Sequence, residues 1–232
     1  MGTLYEALVR AARLIVSLDP DVLQYALRSL YIALVSTALA GLLAVPLGIF
    51  IAEREFRGKR LVVTGLNTLL AVPTVVVGLF VYALVSRQGP FGFLELLFTV
   101  PGIIIGEVVL IAPLLTALTL AAVARVDRDV RLTARSLGAS ERQAAWVVIR
   151  EARYGILAAI IAAYGRVVGE VGVAMIVGGN IDGFTRTLTT AIILNVDMGY
   201  FALALALGLV LLAFSFVLNV AFQLLQGEAR MR

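Results

Sequence analysis

Five apolar runs constrain this chain more than any other feature. Leu30–Ile51, Leu61–Ser86 and Tyr200–Leu225 hold no charged residue, Leu96–Ala124 holds Glu107 alone, and Tyr154–Gly179 holds Arg166 and Glu170. A helix that crosses the hydrocarbon core needs about 20 apolar residues, and every run is long enough. Backbone polar groups in lipid must be paired within the segment, so the runs are read as helices. With 61% hydrophobic residues and a mean hydropathy of +1.02, the chain is far more apolar than a soluble domain, which is usually about 45–50% apolar. The expected fold is all-α: a polytopic membrane protein with about five transmembrane helices, forming one transmembrane domain over residues 1–232. Pro101 and Pro113 mark the longest run for a hairpin or a broken helix.

The charges lie between the runs. Arg54, Arg57, Lys59, Arg60, the seven arginines of residues 125–153, and Arg230 and Arg232 make 13 basic residues on one side. Arg10, Arg13, Arg28, Arg87 and Arg186 make 5 on the other. Basic loops stay in the cytoplasm, so the N-terminus is expected outside and the C-terminus inside. Residues 1–28 lack the basic start and apolar core of a cleavable signal. Leu4, Leu8, Ala11, Ala12 and Ile15 recur at helical spacing, which suits an interfacial amphipathic helix over residues 4–18.

Composition also excludes functions. The chain has no Cys and no His, which removes thiol chemistry, the commonest metal ligand and the usual general base. No catalytic or metal-binding residues are expected, and an intramembrane enzyme is disfavoured. The arginine excess (18 of 19 basic residues) is read as a compositional bias and not as a nucleic-acid footprint. No G-x-x-x-x-G-K-[ST] phosphate loop occurs, so the chain holds no ATP site of its own. No inverted repeat is evident, which disfavours a self-sufficient secondary transporter or channel.

The polar stretch Arg125–Arg153 reads RVDRDVRLTARSLGASERQAAWVVIREAR. It predicts a short amphipathic helix over Val130–Leu137, a turn at Gly138-Ala139-Ser140, and a second helix from Glu141 into the fourth run. Gly138 suits a positive φ. Ser140 followed by Gln143 is a capping-box pair.

Thr133-Ala134, then Gly138, then Val148 resembles the E-A-A-x-x-x-G loop of binding-protein-dependent ABC importer permeases, with Leu132 at the family's Glu position and Arg150-Glu151 at its Leu-Pro ending. GRVVGEVGVAMIVGGNIDGFTRTLTTAI, Gly165–Ile192, is similar to the molybdate/sulfate/tungstate branch. That stretch, Arg150–Arg153 and Pro73–Gly92 look most like tungstate permeases. The resemblance implies a homodimer in the plasma membrane, two cytoplasmic ATPase subunits that hold ATP and Mg, and an extracytoplasmic oxyanion-binding protein. Molybdate, sulfate and vanadate remain alternative substrates. Thr133, Ala134, Gly138, Ala139 and Ser140 would couple the permease to the ATPase. Gly178, Gly179, Asn180, Thr185 and Thr187 would form an outer gate and docking surface for the binding protein.

Arg166 and Glu170 lie four apart, on one helix face. Arg166 is 12 residues from Tyr154, or roughly 18 Å, and Glu107 is about 12 Å deep from the opposite side. In a core of about 30 Å these depths coincide, so Glu107, Arg166 and Glu170 are expected to form one buried cluster. Two carboxylates beside one Arg make a poor resting place for an anion. A packing ion pair is therefore favoured over a pore-lining Arg166. Gly169, Gly172, Gly178 and Gly179 are expected to permit close helix contact.

Overall fold

The computed structural model describes residues 19–230 and, before them, Tyr5, Leu8, Val9, Ala12, Arg13, Val16 and Ser17; side chains of the last helix are described to Val217 and at Val220. Of the first 18 residues, Tyr5, Leu8, Val9, Ala12, Arg13 and Val16 are helical and exposed, while Leu4, Ala11 and Ile15 lie outside the described residues. Nine α-helices follow: α1 Pro20–Glu53, α2 Lys59–Leu70, α3 Thr74–Val85, α4 Val100–Ala124, α5 Arg128–Ser136, α6 Glu141–Val168, α7 Gly172–Gly178, α8 Leu188–Asp197 and α9 Phe201–Arg230. A single 3-10 turn, Gly92–Leu94, precedes α4. The described residues contain no strand.

The core forms where α1 packs against α4 and α6. Ala33, Ala40 and Ala44 of α1 meet Ile111 and Leu115 of α4 and Ala159 and Ala163 of α6, all at most 4% exposed. Small residues let the helix axes approach. A Cβ on Gly48 would lie 2.7 Å from the Thr116 carbonyl oxygen and 2.8 Å from Thr119 Cβ, so that crossing admits only glycine.

Two continuous helices, α1 and α4, are long and apolar enough to cross a bilayer. Two expected spans are broken. Leu61–Ser86 bends by 100° between α2 and α3, and Tyr154–Gly179 bends by 57° between α6 and α7. The first break follows from Pro73, which drives Val72 out of the helical region and serves as N-cap of α3. The second falls at Gly169-Glu170-Val171. The proline expectation for the third run is overturned. Pro101 sits in the first turn of α4, where its missing N–H costs nothing, and Pro113 is carried inside an unbroken helix. Phe201–Val217, the part of α9 with described side chains, is apolar but shorter than a full span.

The two breaks meet each other. A Cβ on Gly172 would fall 2.7 Å from Thr74 Oγ1 and 3.0 Å from Val75 N, and one on Gly78 would fall 3.3 Å from the Gly172 carbonyl oxygen. The glycines let two bent backbones touch. Carbonyls freed near the second break find hydroxyl donors: Thr189 Oγ1 donates to Glu170 O at 2.8 Å and Thr185 Oγ1 to Gly178 O at 2.6 Å. Such internal satisfaction permits a broken helix at membrane depth.

Candidate functional site

The polar loop folds as its residues predict. Asp127 caps α5, accepting from Asp129 N–H at 3.0 Å. α5 ends in a Schellman turn, with Gly138 N–H donating to Arg135 O and Ala139 N–H to Ala134 O, at 2.9 and 3.0 Å. The turn requires the left-handed conformation one position past the cap, and Gly138 has φ +87°. The four-residue spacing from Ala134 to Gly138 is the geometry of this turn. Ser140 then opens α6 with a capping box: Ser140 N–H donates to Gln143 Oε1 at 2.8 Å and Gln143 N–H to Ser140 Oγ at 3.4 Å. Val148, ten residues past Gly138, is buried against Val123, Ala152 and Ile156.

Thr133, Ala134, Gly138 and Ala139 line an open groove of about 1110 Å³ together with Leu137, Arg142 and Trp146. Ser140 is exposed beside it. Leu137 and Trp146 are 84% and 66% exposed. An uncovered Trp–Leu pair is a feature of interaction surfaces. The motif residues alone did not point to these two side chains. The signal was present as a lone Trp early in an amphipathic stretch.

Arg131 holds the loop to the membrane domain by an ion pair to Glu53, the last residue of α1. Arg131 and Arg135 also face Glu141, at 3.8 and 3.1 Å. At the opposite end, α1 grips the loop after α7. Tyr25 OH donates to Asp182 Oδ1 at 2.7 Å, and Arg28 donates to the carbonyls of Arg186 and Gly183, both at 2.8 Å. The Tyr25 hydroxyl first, and then Arg186, whose Nη1 is 3.0 Å from Asp182 Oδ2, hold the Asp182 carboxyl below its ordinary range.

The outer-loop residues separate into two groups. Gly178 ends α7, Gly179 caps it at φ +70°, and Asn180 continues at φ +52°. Thr185 and Thr187 are 0% and 4% exposed. Thr185 Oγ1 accepts from Ile181 N–H at 2.9 Å, and Thr187 caps α8. These threonines brace the loop from inside. The surface it offers is Ile181–Phe184.

The intramembrane charges meet in part. Arg166 Nη1 donates to Glu170 Oε2 at 2.7 Å, and Glu170 Oε1 accepts from Gly172 N–H at 2.8 Å. Glu170, one residue before the N-cap Val171, therefore binds the first N–H of α7 while pairing with Arg166 of α6, at the positive end of that short helix. Glu107 and Glu170 are 1% and 4% exposed and share a cavity of about 10 Å³ with Ser29, Thr187 and Thr189. Glu107 Oε2 has no hydrogen-bond partner among the described residues. The single buried cluster is corrected on one point: among the described residues the ion pair of Arg166 is with Glu170 and not with Glu107, and its side chain is 44% exposed. Gly169 departs from expectation as well, because a Cβ there would meet only Gly165 O at 4.0 Å.

Residues 44–231 match the family described as binding-protein-dependent transport system inner membrane component. The chain belongs to this family. It is thus the membrane permease component of an ABC importer, and the branch is the one its residues pointed to. It is 39% identical over 228 residues to the tungstate uptake system permease protein of Peptoclostridium acidaminophilum, covering 98% of this chain and 100% of that protein. It is 43% identical to a probable anion ABC transporter permease protein of Haloferax volcanii, covering 80% and 82% of the two chains. The molybdate/tungstate permease protein of Pyrococcus furiosus is more distant, at 31% identity over 68% of this chain and 61% of that one. The fold is that of a chain in an inward-facing structure of the MetNI methionine ABC transporter, with a TM-score of 0.73 at 16% identity over 90% of this chain and 95% of that chain.

Proposed function

We propose that this chain forms the translocation pathway of an ATP-driven importer for a tetrahedral oxyanion, tungstate first. The observation that carries the substrate is the end-to-end similarity to a tungstate uptake permease, 39% identical over 98% of the chain. Molybdate, sulfate and vanadate are the runners-up, since the extracytoplasmic binding protein selects what is delivered.

One transmembrane domain, residues 1–232, crosses the membrane five times, with α2–α3 and α6–α7 each counting as one bent span. The N-terminus lies outside and the C-terminus inside. Two copies pair around the pathway, and each seats α5 and the start of α6 in one cytoplasmic ATPase, which supplies ATP and Mg. Thr133, Ala134, Gly138, Ala139 and Ser140 shape the docked turn, and Leu137 and Trp146 fill the partner's groove. Ile181–Phe184, set by Gly178, Gly179, Asn180, Thr185 and Thr187, meets the binding protein. Closure of the ATPases moves the loop between two packings, and this chain performs no chemistry.

The test of substrate is calorimetric titration of the cognate binding protein with tungstate, molybdate and sulfate. Tungstate should bind at least tenfold more tightly than sulfate, a difference of about 1.4 kcal/mol. Preference for sulfate overturns the assignment.

A further inference from the structure

Arg166 lies in the middle of a spanning segment, yet 44% of its side chain is exposed. A guanidinium at that depth costs a few kcal/mol or more if it faces lipid, so the face that carries it borders water or protein. Its surroundings are open. Ala162, Gly165 and Gly169 share the exposed face. A Cβ on Gly165 would meet nothing within 4 Å, so packing within this chain does not demand glycine there. Toward the cytoplasm the same face continues through Ala158 and Ala162 into a cavity of about 530 Å³. Small side chains therefore lie along one exposed helix face between this cavity and Arg166.

The guanidinium is partly committed. Nη1 donates to Glu170 Oε2 at 2.7 Å, and the remaining donors of its five N–H groups have no hydrogen-bond partner among the described residues. Glu170 is fixed from behind by Gly172 N–H. One edge of the fork is thus anchored and the other lies on the exposed face of α6. A planar fork suits two oxygens of one tetrahedral anion. The adjacent carboxylate keeps that hold weak, as a pathway that must release its cargo requires.

Resting on the importer reading, and reversing the expectation of a packing ion pair because the Arg166 side chain is 44% exposed, we propose that this face of α6 lines the translocation pathway and that Arg166 is its oxyanion-binding residue. The sequence has no cysteine, so Gly165→Cys and Ala162→Cys each introduce the one thiol of this chain, whose labelling is read on this subunit after separation from its partners. In the complete complex, each thiol is modified by an anionic and by a cationic water-soluble methanethiosulfonate, with rates normalised to a free thiol. The anionic-to-cationic rate ratio should exceed that in an Arg166→Gln background by roughly threefold or more, since a nearby positive charge attracts the anionic reagent and repels the cationic one. Millimolar tungstate should slow the reaction only when Arg166 is present. Arg166→Lys, the variant to use if the Gln form does not assemble, should keep the ratio and lose the protection. Labelling by a lipid-soluble maleimide alone overturns the proposal, because the face is then packed against a second copy or lipid. A ratio indifferent to Arg166 overturns it as well. The thiol rates need no turnover: a complex that keeps the ratio yet accumulates no tungstate contradicts the importer reading and leaves the lining of the pathway standing.

Discussion

Arg131, in the polar loop, is ion-paired to Glu53, the last residue of α1. α1 has 34 residues, so it reaches about 51 Å, and its other end holds the outer loop through Tyr25 and Arg28. One continuous helix thus joins the polar loop to the loop after α7. Glu53 and Arg131 are 15% and 31% exposed, so the pair is partly shielded and contributes about 1 kcal/mol. Arg131→Ala should lower the melting temperature by about 2–4 °C and reduce uptake per ATP hydrolysed. The charge-swapped pair Glu53→Arg with Arg131→Glu should recover part of both losses. Unchanged uptake per ATP in Arg131→Ala removes the tether from the account.

Gly138→Val tests the turn. Its φ of +87° costs an L-residue about 1–2 kcal/mol, while a Cβ there would meet nothing within 4 Å. Any effect is therefore backbone strain and not collision. The complex should assemble, hydrolyse ATP and show at least a tenfold loss of uptake. Normal uptake in the folded variant contradicts the coupling role of the turn.

The loop was legible in the sequence because its determinants are local. Ala134, Gly138, Ser140 and Gln143 lie within ten residues, and each acts on its immediate backbone. The breaks were harder to read. Hydropathy counts lipid compatibility and is blind to chain direction, so Val72-Pro73 was hidden inside an uncharged run, while Pro101 and Pro113 drew attention to a helix that stays whole. The Arg166–Glu170 pair followed from spacing. Its exposure did not, because helical periodicity does not say which face the neighbouring helices cover. Contacts such as Arg28 to Gly183, 155 positions apart, leave no trace in a single sequence.

Gly172 and Gly165 make a matched pair of glycine substitutions. Gly172→Ala drives a methyl to 2.7 Å from Thr74 Oγ1 and 3.0 Å from Val75 N, whereas Gly165→Ala meets open space. Overpacking costs about 1–3 kcal/mol, so Gly172→Ala should lower the melting temperature by several degrees. Gly165→Ala should leave it unchanged or slightly raised. Equal melting of the two variants contradicts the contact between the breaks.

The Asp182 contact sets a pH dependence. Its folded-state pKa is lowered, first by the Tyr25 hydroxyl. A lowered carboxylate stabilises the fold above its unfolded pKa, and the contribution is lost as pH falls through the folded value. Wild type should melt above Asp182→Asn at neutral pH, and the difference should close below about pH 4. A difference that widens on acidification reverses the sign and contradicts the assignment.

ATP-dependent accumulation of tungstate in vesicles that hold the whole complex tests the central claim most directly. The account predicts accumulation that requires the loaded binding protein outside and ATP on the cytoplasmic side, and that stops when the ATPase subunits are omitted. Accumulation that persists without ATP or the ATPases, driven by an ion gradient alone, would contradict it and make the chain a secondary transporter or channel.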